Sequence, residues 1–293
     1  YKSDIINSVN AGVDMIMVPG AVIWGGEHYK TFISLFKESF DEGLIKEERI
    51  DDAVRRILRI KFRSGLMENP MADRSLLEKA GSEEHRAIAR EAVQKSQVLL
   101  KNDNMLPLAK DKNYLVCGSG ADDIGKQCGG WTIEWQGALG DITEGTTIWE
   151  GISEQASATL SANGKTDGSF DAAVVVIGEN PYTEMEGDSD TLHLSKEDKQ
   201  TIANVEALNI PYTVVLITGR PLIVTEEIEA ADAFMVAWLP GTEGDGVSDV
   251  LFGDVAPSGK LSFSWPKDMD NVPVNFGDED YDPLFKLGYG LTY

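Results

Sequence analysis

Ala172-Ala173-Val174-Val175-Val176-Ile177 runs directly into Gly178-Glu179-Asn180-Pro181-Tyr182-Thr183-Glu184-Met185-Glu186-Gly187-Asp188. The apolar run is short, β-branched and free of alternation, the pattern of a strand covered on both faces. Such strands belong to sheets flanked by helices on either side. Open α/β sheets carry their ligand chemistry on loops leaving the carboxyl ends of those strands. Here the loop bears Glu179, Glu184, Glu186 and Asp188. Carboxylates this crowded repel one another, which favours retention of a proton on at least one of them. A carboxylic acid that keeps its proton near neutral pH is a general acid, so loop 178–188 is the leading candidate for chemistry.

Working outward, similar runs recur at 98–100, 114–117, 212–217 and 233–238, separated by helical stretches at 146–156, 196–207 and 221–229. This alternation predicts a largely parallel sheet with helices on both faces. Leu261-Ser262-Phe263-Ser264-Trp265 alternates apolar with polar and reads as an edge or antiparallel strand. Residues 83–97 form a helix capped by Ser82, and the turn-rich stretch 67–82 reads as a linker. Ahead of it, residues 13–18 read as a strand core, followed by helices at 29–40 and 47–64. The first of these turns Phe32, Ile33, Leu35, Phe36 and Phe40 inward. The second buries Ile50, Val54, Ile57, Leu58 and Ile60, keeps Arg55, Arg56 and Arg59 outward, and ends at Gly65. The pattern of 1–66 is that of the last βα part of a barrel. Because the sequence opens inside a helical pattern, it reads as the later part of a longer protein.

The net charge of −23 argues against nucleic acid or an anionic membrane surface as a partner. No apolar run approaches the length of a membrane span, and the chain reads as soluble. Cys117 and Cys128 have neither a zinc spacing nor a C-x-x-C redox spacing, and Cys117 reads as a small buried residue. With His28, His85 and His193 as the only histidines, no histidine-based metal site and no cofactor are expected. The loop 118–125 has a glycine misplaced for G-x-G-x-x-G, and Asp122 and Asp123 would repel a pyrophosphate, so it is rejected as a dinucleotide site. Arg220 reads as half of an ion pair or a helix start, and Asp282 as a turn residue.

Nine segments in register resemble one family. They are 11–19, 49–58, 95–102 with Leu106-Pro107-Leu108, Cys128-Gly129-Gly130-Trp131-Thr132-Ile133-Glu134-Trp135-Gln136-Gly137, the loop 178–188, Thr218-Gly219-Arg220-Pro221, 238–244, Leu251-Phe252-Gly253-Asp254 and 288–292. Together they resemble glycoside hydrolase family 3, in its exo-β-glucanase/β-glucosidase branch. The resemblance implies the end of a (β/α)8 barrel over 1–66 and a six-stranded α/β sandwich domain over 83–293. It implies a retaining exo-acting hydrolase of β-glucan or β-glucoside oligosaccharides. Glu184 would be the acid/base, with Glu179 in reserve; Trp131 and Trp135 would flank the leaving-group subsite, and Met17 would border the non-reducing sugar. The Asp nucleophile would lie upstream of Tyr1, on a barrel segment that is this chain's implied partner, and the chain alone would be inactive. A secreted or periplasmic location is implied in the same way.

Two rival readings stand beside this one. The first is a non-catalytic glucan-binding or subunit-interaction module of the same fold. The second is β-xylosidase or N-acetylglucosaminidase activity. Trp131 and Trp135 read equally as core residues until the flanking Gly129, Gly130 and Gly137, which mark an irregular exposed loop, are weighed.

Overall fold

The computed structural model describes residues 1–18 and 28–293, which form two compact units, Tyr1–Glu78 and Lys79–Tyr293. The second unit is built on a six-stranded sheet of β1 (Val98–Asn102), β2 (Asn113–Cys117), β3 (Ser157–Ser161), β4 (Ala172–Gly178), β5 (Tyr212–Ile217) and β6 (Ala233–Trp238). Their spatial order is β1-β6-β5-β4-β2-β3. All pairings are parallel except that of β1 with β6.

Every residue of β4 and β5 is buried. Because strand side chains alternate between faces, the unbroken apolar runs feed two separate cores. Val174, Val176, Val215 and Ile217 pack with Val93, Ile148, Ile152, Val247 and Val250. These come from the helices Glu83–Ser96, Ile148–Gln155 and Gly244–Leu251. Val175, Ile177, Val214 and Leu216 face the other way, against Ile202, Val205, Ile228 and Trp265. At roughly 1.5–3 kcal/mol for each fully buried aliphatic side chain, this two-sided burial is the main favourable contribution to the unit. The helices Glu83–Ser96 and Gly244–Leu251 are further tied by Arg90, whose Nε and Nη2 donate to Asp249 at 2.7 and 2.6 Å. The expected cap is present, with Ser82 Oγ accepting from His85 N at 3.4 Å.

Several elements depart from expectation. Residues 261–265 add no strand to the sheet. Leu261 N donates to Tyr289 O and Trp265 N to Phe285 O, both at 2.8 Å, in a chain crossing over one face. The alternation there records Leu261 and Trp265 pressed onto the sheet while Phe263 faces out. The antiparallel edge is β1 instead. The opposite edge, β3, has the sequence Ser-Ala-Thr-Leu-Ser and carried no apolar signal because an edge strand buries little. The helix Gly244–Leu251 was also unpredicted. Its Gly246 is a contact glycine, since an added Cβ would lie 2.9 Å from Val93.

In the first unit the described α-helices are Lys2–Asn10, His28–Asp41 and Glu47–Arg63, with a small cluster of Ile5, Val9 and Ile45. The described residues 13–18 form no strand, because among the described residues no neighbouring strand supplies the hydrogen bonds that extended chain requires. No residue of Glu47–Arg63 is buried: Ile50 and Ile57 are half-buried, while Val54, Leu58 and Ile60 are exposed. On His28–Asp41, Phe32, Leu35 and Phe36 are half-buried, whereas Ile33 and Phe40 are exposed. The apolar faces expected to point inward are therefore largely uncovered. No described helix is long and apolar enough to cross a membrane.

Candidate active site

Strand order fixes where a site can lie. From β2 the chain passes to β3 on one side, and from β4 to β5 on the other, although β2 and β4 are neighbours. The carboxyl ends of two such strands open the crevice in which doubly wound sheets bind ligands. The connection from β2 to β3 passes through the short helix Ile124–Cys128 and then carries Trp131 and Trp135, and the loop leaving β4 carries Glu179 and Glu184.

The two loops are fastened to each other. Thr183 N donates to Gln136 Oε1 at 2.8 Å, and Thr183 Oγ1 to Trp135 O at 3.0 Å. Gly130 permits this approach, since an added Cβ would stand 2.2 Å from Tyr182 O. Deeper in, the nearly inaccessible Lys126 donates from Nζ to Ser119 Oγ at 2.8 Å and to Asn180 Oδ1 at 3.2 Å. Ser119 Oγ donates in turn to Asp198 Oδ1 at 2.7 Å. Burial lowers the Lys126 pKa from its ordinary value, against the opposing pull of Asp198, Asp123 and Glu179. A cavity of about 500 Å³ reaches this cluster and is bordered also by Tyr182 and His193.

Glu179 sits on the inner side of the loop. Its Oε1 accepts from Arg220 Nε at 2.9 Å and Nη2 at 2.7 Å. Its Oε2 lies 2.7 Å from Thr218 Oγ1 and 3.1 Å from the Tyr182 hydroxyl. The Arg220 guanidinium stacks over the Tyr182 ring at 4.6 Å, and the Tyr182 phenol is pushed up to about 12 by burial and by the Glu179 charge. Arg220 is thus the ion-pair residue that the sequence suggested, and it answers the charge of Glu179. The crowding expected of four carboxylates is relieved, because Glu184, Glu186 and Asp188 face solvent.

Glu184 opens the short turn Glu184–Gly187 with φ at 51°, in the left-handed region. A non-glycine residue there costs on the order of 1–2 kcal/mol, and such outliers gather at functional sites. Its carboxylate makes no hydrogen bond or ion pair with any described residue. Trp131 and Ile133 are also left-handed, each at φ 62°. The indoles of Trp131 and Trp135 lie 6.4 Å apart at 51°. They are 67% and 37% exposed, so neither is a core residue. A cavity between the two loops, lined by Gly129, Gly130, Tyr182 and Leu239, holds only about 40 Å³. In this unit Glu184 and the indoles are exposed, and none of them lines that cavity. Met17 belongs to the first unit, where its side chain is 96% exposed.

Cys117 and Cys128 are free thiols, and burial pushes Cys117 up to about 12, which leaves it unreactive. Among the described residues no group of three or more His, Cys, Asp or Glu side chains is arranged to hold a metal ion. Lys126, Gln136 and Thr183 were not singled out by sequence. Their partners on the facing loop lie 47 to 54 residues away, and no local pattern announces them.

A sheet with this switch point, an unpaired carboxylate and two outward indoles has the makings of a carbohydrate-processing site. Residues 97–293 match the glycosyl hydrolase family 3 C-terminal domain, and the chain belongs to that family. It is similar to the crystal structure of the exo-1,3/1,4-β-glucanase of a Pseudoalteromonas species, with 44% identity and a TM-score of 0.89, covering 98% of this chain and 38% of that one. It is similar too to a mutant β-glucosidase of Listeria innocua in complex with laminaribiose, at 28% identity and TM-score 0.83, covering all of this chain and 44% of the other. The lysosomal β-glucosidase of Dictyostelium discoideum is 31% identical over 99% of this chain and 38% of its own length. The chain thus spans about two fifths of the length of these relatives.

Proposed function

We propose that the protein is a retaining exo-acting β-glucosidase or exo-β-glucanase, with Glu184 as its acid/base. The observation that carries this reading is the pairing of loops at the β2/β4 crevice. It places an unbonded carboxylate on strained backbone one residue after Thr183, which is bonded to Gln136 and to the backbone of Trp135, on the loop that carries the two exposed indoles. Glu179 is disfavoured as the proton carrier because its oxygens already accept from Arg220 and the Tyr182 hydroxyl.

In this reading Glu184 protonates the departing glycosidic oxygen while an Asp from a barrel segment outside this sequence attacks the anomeric carbon. Glu184 then takes a proton from the water that releases the sugar. Retention requires the two carboxyls to stand about 5–5.5 Å apart when the site is assembled. Trp131 and Trp135 offer flat apolar faces to the pyranose rings of the leaving group. The uncovered apolar residues of the first unit, Met15, Met17, Ile60 and Phe62 among them, support a role for further barrel polypeptide as their cover. Met17 would then border the sugar at the non-reducing end.

The second reading, a glucan-binding module without chemistry, draws on the same exposed indoles. Substitution E184Q in the full-length protein separates the two. For an acid/base, kcat/KM on a β-glucoside with a weakly acidic leaving group falls about 10²–10⁴-fold. A 2,4-dinitrophenyl β-glucoside, whose leaving group needs no proton, keeps most of its glycosylation rate. Equal activity of E184Q and the unmodified enzyme on both substrates would sink the assignment.

A further inference from the structure

Among the described residues the Glu184 carboxylate has no hydrogen-bond or ion-pair partner, so its placement is set by the backbone on either side. On the amino-terminal side Thr183 is held by Gln136 and by Trp135 O. On the carboxyl-terminal side the support is Arg220, whose Nη1 donates to Gly187 O at 2.6 Å. Through Nε and Nη2 the same guanidinium grips Glu179, and its plane covers the Tyr182 ring. One side chain therefore holds loop 178–188 at residue 179, at residue 182 and at residue 187, with Glu184 on the span between. The turn that delivers Arg220 is itself fixed: Thr218 N donates to Trp238 O at 3.1 Å, and Arg220 N to Thr218 Oγ1 at 3.2 Å. Gly187 adds to the closure, since an added Cβ would lie 2.3 Å from Tyr182 Cδ2.

We propose that Arg220 is the positioning residue of the acid/base, a clamp that holds Glu184 in the left-handed geometry from which it reaches the glycosidic oxygen. The proposal rests on the reading of Glu184 above. A planar guanidinium is needed because three donors must leave in a fixed fork toward Glu179 and Gly187, while its flat face covers a ring. A lysine ammonium is a compact point charge with neither the fixed fork nor the flat face, so it does not reproduce all of these contacts. Misplacing a catalytic group by about 1 Å costs on the order of 10²-fold, and that loss falls on the step that needs a proton.

The test compares leaving groups in the full-length enzyme. R220M keeps an unbranched apolar stem and removes the fork. We expect its kcat/KM to fall about 10²-fold on phenyl β-glucoside and to stay nearly unchanged on 2,4-dinitrophenyl β-glucoside. In an E184Q background the R220M change should have no further effect on phenyl β-glucoside, because the residue acts through Glu184. A uniform loss on both substrates, no loss on either, or full additivity with E184Q overturns the clamp. If R220M does not fold, R220K retains the charge, and the same selective loss, smaller in size, is decisive. Failure of the two ideas is distinguishable. If E184Q shows no leaving-group dependence, the acid/base reading is at fault. If E184Q shows it and R220M and R220K do not, the clamp is.

Discussion

The inner and outer sides of loop 178–188 hold the same chemical group in opposite circumstances. Glu179 is enclosed, with a guanidinium and a phenol bound to its oxygens and a threonine hydroxyl beside them. Glu184, five residues on, is exposed and unbonded on backbone that an ordinary residue avoids. The same division runs through the connection after β2, where Lys126 is buried and answered by Ser119 and Asn180 while Trp131 stands in solvent. Groups with their partners inside the chain hold the fold together. Groups that fold at a cost and have no bonded partner are the ones the proposal assigns to a ligand. Under the proposed reading, the contrast separates scaffold from site.

Removing each glutamate in turn puts that division under its hardest test. E179A strands Arg220, which is about a third exposed, beside an apolar ring. Breaking a buried pair from one side costs about 3–5 kcal/mol, and the partial exposure here reduces that to about 2 kcal/mol. E184A removes nothing the fold uses and should stay within about 0.5 kcal/mol of the unmodified protein. Urea denaturation of the full-length enzyme measures both. Equal losses would erase the distinction between the two sides of the loop.

A somewhat smaller effect is expected at the rim. W131A deletes an indole that is 67% exposed, so stability should again change by less than about 0.5 kcal/mol. Binding of a glucan oligosaccharide should weaken by about 1 kcal/mol, a several-fold rise in KM, with the rate on a simple aryl glucoside affected less. W135A should do both, weakening binding and loosening the loop, because Trp135 is only 37% exposed and its ring packs against Trp131. Calorimetric titration with laminari-oligosaccharides distinguishes them. Unchanged affinity in both variants would return the indoles to a packing role.

Much of the scaffold side was legible and much of the site was not. β4, β5 and β6 announced themselves because burial on both faces leaves no room for polar alternation. Edge strand β3 escaped because it needs only one neighbour and little apolar area. Residues 13–18 carry a strand's composition but among the described residues find no strand to pair with, and composition alone does not make a ladder. Arg220 could be read as half of an ion pair, yet its partner Glu179 lies 41 residues earlier and became visible only once β4 and β5 were adjacent. The left-handed backbone at Glu184 left no trace in sequence at all, since no glycine marks it.

The smallest effect concerns the phenol that joins both sides of the comparison. Tyr182 donates to Glu179 Oε2 at 3.1 Å, lies under Arg220, and carries a folded-state value pushed up to about 12, chiefly by burial and then by the Glu179 charge. Its unfolded value is about 10. A folded value above the unfolded one means that the native state holds the proton more tightly. The stabilisation is fully present below pH 10 and drains away as pH rises from about 10 toward about 12. Y182F cannot ionise, so its unfolding free energy should fall less steeply over that window than that of the unmodified enzyme. Tyr293, also pushed up to about 12, contributes the same slope to both proteins and cancels in the difference. Urea unfolding repeated at steps from pH 9 to pH 11.5 reads the slope directly. Parallel curves would mean that Tyr182 is free to ionise in the folded protein, and that the inner side of the loop is as open to solvent as the rim.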